Sequence, residues 1–199
     1  MNGSDAKRPV VRFTDVAVVR GGREIWSEGT FEVPRGCIVG VIGPNGSGKT
    51  TFLKLLLGLL TPSTGSIEVL GETPRRGNPR IGYVPQNYTA AVGDAVRCRD
   101  LVHLSLLGTR WGVGQRNLQP HALVDEALAA VDATGFADER MSQVSGGQQQ
   151  RVAIAAGLVN SPDLLLLDEP LTNLDMPNQR QIAALLGPLA TEPTITAHD

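Results

Sequence analysis

Gly43-Pro44-Asn45-Gly46-Ser47-Gly48-Lys49-Thr50 is the stretch that decides the fold. It fits the pattern G-x-x-x-x-G-K-[ST], and its composition suits one task. Glycines let the backbone bend until its N–H groups converge on phosphate oxygens, and the start of a helix adds a positive end. Lys49 supplies a charge for β- and γ-phosphates, and the Thr50 hydroxyl suits Mg²⁺. The blander reading is a chance turn between a strand and a helix. The surroundings oppose it. Residues 37–42 upstream are an apolar run rich in β-branched residues, expected as a fully buried strand. Residues 49–60 downstream have a helical pattern, closed by the Pro and Gly of residues 62–65.

Working outward, residues 10–13, 16–19 and 30–33 read as short strands, with Gly21-Gly22 marking a turn. Residues 66–70 and 81–84 read as further strands. The middle differs in kind. Residues 100–107 suggest a short helix capped by Asp100, and residues 121–131 a helix with Leu123, Ala127, Leu128 and Val131 on one stripe. Residues 110–118 between them read as a loop. A helix at about 147–159, a strand at 163–167 and a helix at about 177–189 complete the pattern. Strands alternating with helices imply an α/β domain with a mainly parallel sheet, antiparallel strands at its N-terminal side, and an inserted helical subdomain. The expected division is one domain over 1–199, with a core of 10–85 and 146–199 and a helical part at about 86–145.

Two further stretches carry chemistry. Leu164-Leu165-Leu166-Leu167-Asp168-Glu169 is a buried-strand pattern ending in acids, which places them at the sheet's carboxyl edge, where ligands of such folds bind. Asp168 would orient Mg²⁺ and Glu169 would polarise water as general base. Alone, the stretch reads first as a strand end with solvated charges; the turn before Lys49 upstream is what favours the chemical reading. Val144-Ser145-Gly146-Gly147-Gln148-Gln149-Gln150-Arg151 offers a good N-cap in Ser145 and paired glycines at a helix start. By itself that reads as a capped helix, with a second anion cradle as the alternative. One triphosphate seldom needs two cradles, and this points to a nucleotide shared with a partner molecule.

Composition narrows the class. The chain has 199 residues, 41% of them hydrophobic but only 4% aromatic, so the core must be mostly Leu, Val, Ile and Ala. A net charge of −2 argues against a general nucleic-acid binder. No stretch approaches the roughly 18 apolar residues of a membrane-spanning helix, and residues 1–9 lack a signal peptide's apolar centre, so a cytoplasmic protein is expected. Cys37 and Cys98 lie far apart and read as free thiols, Cys37 as a small buried core residue. His103 and His121 have no ligand partners at metal spacing and read as structural. Arg75, Arg76 and Arg80 read as a solvated face, with a lipid-headgroup or partner contact as the alternative.

The order of these motifs resembles that of ABC (ATP-binding cassette) ATPases over about residues 10–199. Residues 43–50, with Thr51 beside them, resemble the Walker A loop, 164–169 Walker B, and Ser145, Gly146, Gly147 and Gln148 the signature motif. Gln86 resembles the Q-loop glutamine, which contributes to the Mg²⁺ site and reports to a membrane subunit. Asn173-Leu174-Asp175 resembles the D-loop, and His198 the switch histidine at the γ-phosphate. The resemblance implies ATP and Mg²⁺ as cofactors. It also implies head-to-tail pairing with a second copy or a related subunit, and an integral membrane permease with a substrate-binding protein. The location implied is peripheral, at the inner face of the cell membrane. Residues 80–86, 96–108 and 145–151 resemble the manganese/zinc/iron-chelate branch of importers.

The sequence departs from the family in three places. Many members place an aromatic near position 20 to stack on adenine; here Arg20 stands there, and a guanidinium plane is expected to take that part. Val144 replaces a leucine. Residues 192–196 are polar and interrupted by Pro193 where members have a long apolar strand, which puts sheet-edge stability and the placing of His198 in question. Members also carry further strands and helices beyond the position of Asp199, implying a shortened protein or a missing C-terminal part. The alternatives are a DNA-repair or chromosome ATPase, a soluble translation factor, or an inactive regulatory subunit. The first normally inserts long coiled coils between Lys49 and Ser145, where this chain has no heptads. The second normally carries two cassettes. The intact Lys49, Asp168 and Glu169 stand against the third.

Overall fold

The computed structural model describes residues 8–44, 46–86, 95–107, 120–172, 174–189 and 194–198. Asn45, Asn173, Asp199, the expected loop at 110–118 and residues 192–193 lie outside them.

Two sheets share the work. In the first, β1 (Val11–Arg20) pairs antiparallel with β2 (Arg23–Val33) on one side and β4 (Thr64–Val69) on the other. The two N-terminal pieces read from the sequence are thus one strand. It is bent where Asp15 takes a left-handed φ of 49° and exchanges hydrogen bonds with the Thr30 hydroxyl. A bulge explains the break in alternation that made the strand look divided.

The second sheet is parallel, in the order β3 (Ile38–Ile42), β7 (Thr194–His198), β6 (Leu164–Asp168), β5 (Ile81–Val84). Three expectations are corrected here. Strand β3 is not buried on both faces: Cys37, Val39 and Val41 pack inward, whereas Ile38 is 42% and Ile42 80% exposed. It has a sheet partner on one side only, and its outward row is left open among the described residues. Cys37 is half-buried, its thiol donating to Pro34 O at 3.1 Å. Polar β7 does not sit at an edge; it is paired on both sides, and neighbours stabilise it where composition does not.

Helix α1 (Lys49–Leu56) ends four residues before the expected limit, at Gly58 with φ 64°. It is clamped to the antiparallel sheet by aromatics. Phe52 lies 5.5 Å from both Phe13 and Trp26 and 6.1 Å from Phe31, ring centre to ring centre. Few as they are, the aromatics are concentrated where the cradle needs support. The remaining helices are α2 (Cys98–Leu107), α3 (Pro120–Ala130), α4 (Gly146–Leu158) and α5 (Met176–Leu189). Asp100 lies inside the first turn of α2 and is not its cap. None of the described helices is long and apolar enough to cross a membrane.

Strand β6 joins two cores. Leu164 and Leu166 face the α1 side, Leu165 and Leu167 the side of α2 to α5, and all four are buried. Each such leucine contributes roughly 1.5–3 kcal/mol by leaving water. Strand β6 therefore has little freedom to move, and the acids at its end inherit that rigidity.

Candidate functional site

The turn after β3 opens α1 through Gly48, whose φ of 97° is left-handed and which carries no side chain to cap the helix. A Cβ there would stand 3.1 Å from Ile25 Cγ2 and from Trp26 Nε1, a tight fit that adds to the conformational demand for glycine. Lys49 is 93% buried, and its ammonium donates to the carbonyls of Gly43 and, at 3.4 Å, Pro44. The side chain thus lies back along its own loop. Beside it is a recess of about 170 Å³ lined by Ile25, Gly46, Gly48, Lys49, Thr50, Thr51 and Glu169.

Sheet register brings the other groups to this edge. Ile42 pairs with His198, and Ala197 with Asp168, so the carboxyl ends of β3, β7 and β6 are level. For His198 it is this backbone position that is described. Val84 pairs with Leu167, which places Gln86 beside Glu169 two residues further on. There the Gln86 amide donates to Glu169 Oε2, and the Thr172 hydroxyl donates to the same oxygen at 3.2 Å. Glu169 holds φ at 51°, an uncommon conformation for a residue with a long side chain, and the two hydrogen bonds fix it there. Asp168 is buried, and burial raises its carboxyl above the ordinary value; the Tyr83 hydroxyl, donating at 3.4 Å, and the charges of Lys54 and Lys49 oppose that shift. Burial beside Asp168 in turn pushes the Tyr83 phenol up to about 12. Burial thus disfavours the charged form, a cost that a cation at this sheet edge would offset.

The second glycine pair lies elsewhere. Ser145 caps α4, its hydroxyl accepting from Gln148 N at 3.3 Å while Gln148 Oε1 accepts from Ser145 N at 2.8 Å. Gly147 has no room for a side chain, since a Cβ would lie 2.4 Å from Asn178 Oδ1. Asn178 is held by Asp175, whose carboxylate accepts from its amide at 2.7 Å and its backbone N–H at 2.9 Å. Ser145 and Gln148 face an open polar cleft of about 490 Å³ shared with Asp132, Gly135, Phe136, Arg151, Asn178 and Gln181. No residue lines both this cleft and the first recess.

A family profile described as ABC transporter matches residues 27–172. The chain belongs to the ABC transporter family. The manganese transport system ATP-binding protein MntB of Bacillus subtilis is 35% identical over 182 residues, covering 90% of this chain and 72% of that protein. The zinc import ATP-binding protein ZnuC of Rickettsia bellii is 32% identical over 193 residues, covering 96% and 75%. Among solved structures, the ATP-binding cassette MJ0796, as a dimer in a post-hydrolysis state bound to ADP and Pi, superposes with a TM-score of 0.76 at 26% identity, over 94% of this chain and 87% of that one. The ABC chain is accordingly an ATP-binding and ATP-hydrolysing subunit.

Within this ABC subunit, Gly46, Gly48, Lys49, Thr50, Thr51 and Glu169 line one recess, with Gln86 bonded to Glu169; Ser47 donates its N–H to Pro44 O at 3.0 Å within the same turn. Arg20 does not line the recess; it ends β1 opposite Arg23, and the wall on that side is Ile25. Ile25 carries no motif and could have been found only from the hairpin register that turns it toward Gly48. Thr172 was missed as well. The one signal for it is its spacing, three residues after Glu169, the span of a single turn. Arg75 and Arg76 are exposed, as a solvated face requires, Arg75 lying 3.8 Å from Glu72, and half-buried Arg80 is paired to Asp163.

Proposed function

We propose that this subunit hydrolyses Mg-ATP at the recess between the Lys49 turn and Glu169, and so powers import of a transition-metal cation through a separate membrane permease. The observation that carries the reading is one recess lined by the phosphate-cradling residues on one wall and by Glu169 on the other, with Glu169 tethered to Gln86. In this reading Gly46, Gly48 and Lys49 hold the phosphates through backbone N–H groups and the lysine charge, after Lys49 leaves the loop carbonyls. Thr50, Asp168 and Gln86 hold Mg²⁺, which when bound neutralises charge on the β- and γ-phosphates. Glu169 takes the proton of the attacking water, and its tether limits where that water can stand. His198, level with Ile42, lies at the γ-phosphate edge and stabilises the charge that develops there.

The separate cleft at Ser145 favours a second copy. The turn that starts at Ser145, on the edge of that cleft, serves the nucleotide of a partner cassette, in the pairing for which the dimeric MJ0796 cassette is a precedent. In that pairing Asp175, through Asn178, holds the start of α5 against Gly147. Residues 10–85 and 146–199 would act as the core, and residues 86–145 as the helical part that meets the permease near Gln86. The manganese and zinc transport relatives favour metal cargo, delivered by a substrate-binding protein, and a peripheral position at the inner face of the membrane. The purine has no aromatic partner at position 20, and Ile25 is the wall available to it.

The test is Glu169→Gln. ATP should still bind, turnover should drop by roughly 100-fold or more, as for loss of a general base, and a nucleotide-bound dimer should accumulate on gel filtration. Near-normal turnover in that variant refutes the assignment of the base.

A further inference from the structure

Helices α2 and α3 lie antiparallel with matched rungs. On one rung the Arg99 guanidinium is paired with Asp125 and, at 3.1 Å, with Asp138. One turn further along α2, and one turn back along α3, stand His103 and His121, at i+4 from Arg99 and i−4 from Asp125. Their rings lie 5.8 Å apart, centre to centre, with planes inclined by only 9°. The packing between these helices is carried by other residues, Leu101, Val102 and Leu106 from α2 and Val124 and Leu128 from α3, all buried. The two imidazoles sit at the margin of that contact, His121 exposed and His103 half-buried.

We propose that His103 and His121 form a surface site for a transition-metal dication of the Zn²⁺ or Ni²⁺ class, separate from the nucleotide recess. An ion held by two imidazole nitrogens at about 2.1 Å keeps the ring centres roughly 4.5–6.5 Å apart, depending on the angle at the metal. The observed separation lies inside that range. The rings must turn to aim one nitrogen each, a motion about a broad torsion, while the backbones that carry them are already fixed by the helix contact. Two carboxylates against one guanidinium on the neighbouring rung leave local negative charge that favours a cation. Among the described residues no third His, Cys, Asp or Glu completes a ligand set, so water fills the remaining positions. Imidazole selects ions of this class over Mg²⁺, which prefers oxygen and holds its water. The bound ion would staple α2 to α3 in the helical part of the subunit.

The experiment uses the full chain without nucleotide or Mg²⁺, titrated with NiCl₂ and ZnCl₂ in competition with a chromophoric chelator, beside His103→Ala and His121→Ala. Either substitution should weaken the strongest site by at least ~10-fold, with circular dichroism and basal ATP turnover unchanged. Cu²⁺ bound to the wild-type chain should show electron-spin-resonance coupling to two nitrogens, and to one in each variant. Identical titrations for all three proteins overturn the proposal. So does the absence of stoichiometric uptake, or binding that disappears only when Cys37 is replaced.

Discussion

The two glycine-bearing turns of this chain, one before Lys49 and one after Ser145, look alike in sequence and differ in how their polar groups are satisfied. The first starts its helix with a glycine that has no side chain, so nothing on Gly48 competes with a ligand for the helix end. The second is closed on itself, Ser145 and Gln148 each bonding the other's backbone N–H. In the first, the Lys49 ammonium must leave the carbonyls of Gly43 and Pro44 to meet an anion. The second commits the Ser145 and Gln148 side chains to its own backbone, and it opens onto a cleft that holds none of the residues of the first. A helix end left uncapped at Gly48 and one capped at Ser145 fit the proposed reading, in which the first turn binds nucleotide in the single subunit and the second serves on pairing.

Breaking the first turn should have the larger effect. Lys49→Ala removes a charge-assisted contact of about 1.5–3 kcal/mol, so nucleotide affinity of the monomer should fall roughly 10- to 150-fold. Equilibrium binding of a fluorescent ATP analogue measures this, and unchanged affinity would show that Lys49 stays on its loop carbonyls. Ser145→Ala sharpens the contrast. Monomer affinity should be untouched, while nucleotide-dependent dimerisation and turnover drop about tenfold through the loss of one hydrogen-bonding group at the shared site. Loss of the cap itself should cost about 1 kcal/mol of stability, seen in denaturant melts. An equal fall in monomer affinity would erase the distinction between the turns.

The smallest effects on stability come from Asp168 and Tyr83 behind the first turn. Burial raises the Asp168 carboxyl, so its contribution to folding is full at acid pH and is lost as pH climbs through the raised value. Asp168→Asn should therefore melt slightly higher than wild type at neutral pH, the gap closing below the ordinary carboxyl range near ~3.9, while ATP turnover is lost. A lower melting point at neutral pH would contradict this. The Tyr83 phenol, pushed up to about 12, stabilises the fold below its ordinary value near ~10 and loses that contribution as pH rises towards 12. Tyr83→Phe should flatten that alkaline decline.

What could be read from the sequence was contiguous. The Lys49 turn, the Ser145 cap and the acids after four leucines each declare themselves within eight residues, because backbone conformation and local hydrogen bonds set their form. What escaped depends on register between distant strands. Gln86 and Glu169 meet because β5 and β6 are parallel with Val84 opposite Leu167, and no local pattern encodes that offset. Ile25 reaches Gly48 for the same kind of reason. The polar composition of β7 misled because a strand paired on both sides draws its stability from its neighbours, and the apolar run of β3 misled in the opposite sense, since hydrophobicity on both faces did not ensure cover for both.

The contact of Trp26 and Phe52 behind Gly48 has a mechanical consequence. Ile25 and Trp26 are consecutive in one strand, the first forming a wall of the ligand recess and the second stacked on the helix that carries Lys49. A Cβ at Gly48 would press on Ile25 and Trp26 at 3.1 Å, so hairpin and helix are keyed together like parts of a mortise joint. The spacing between the hydrophobic wall and the helix that begins at Lys49 is therefore set when the chain folds.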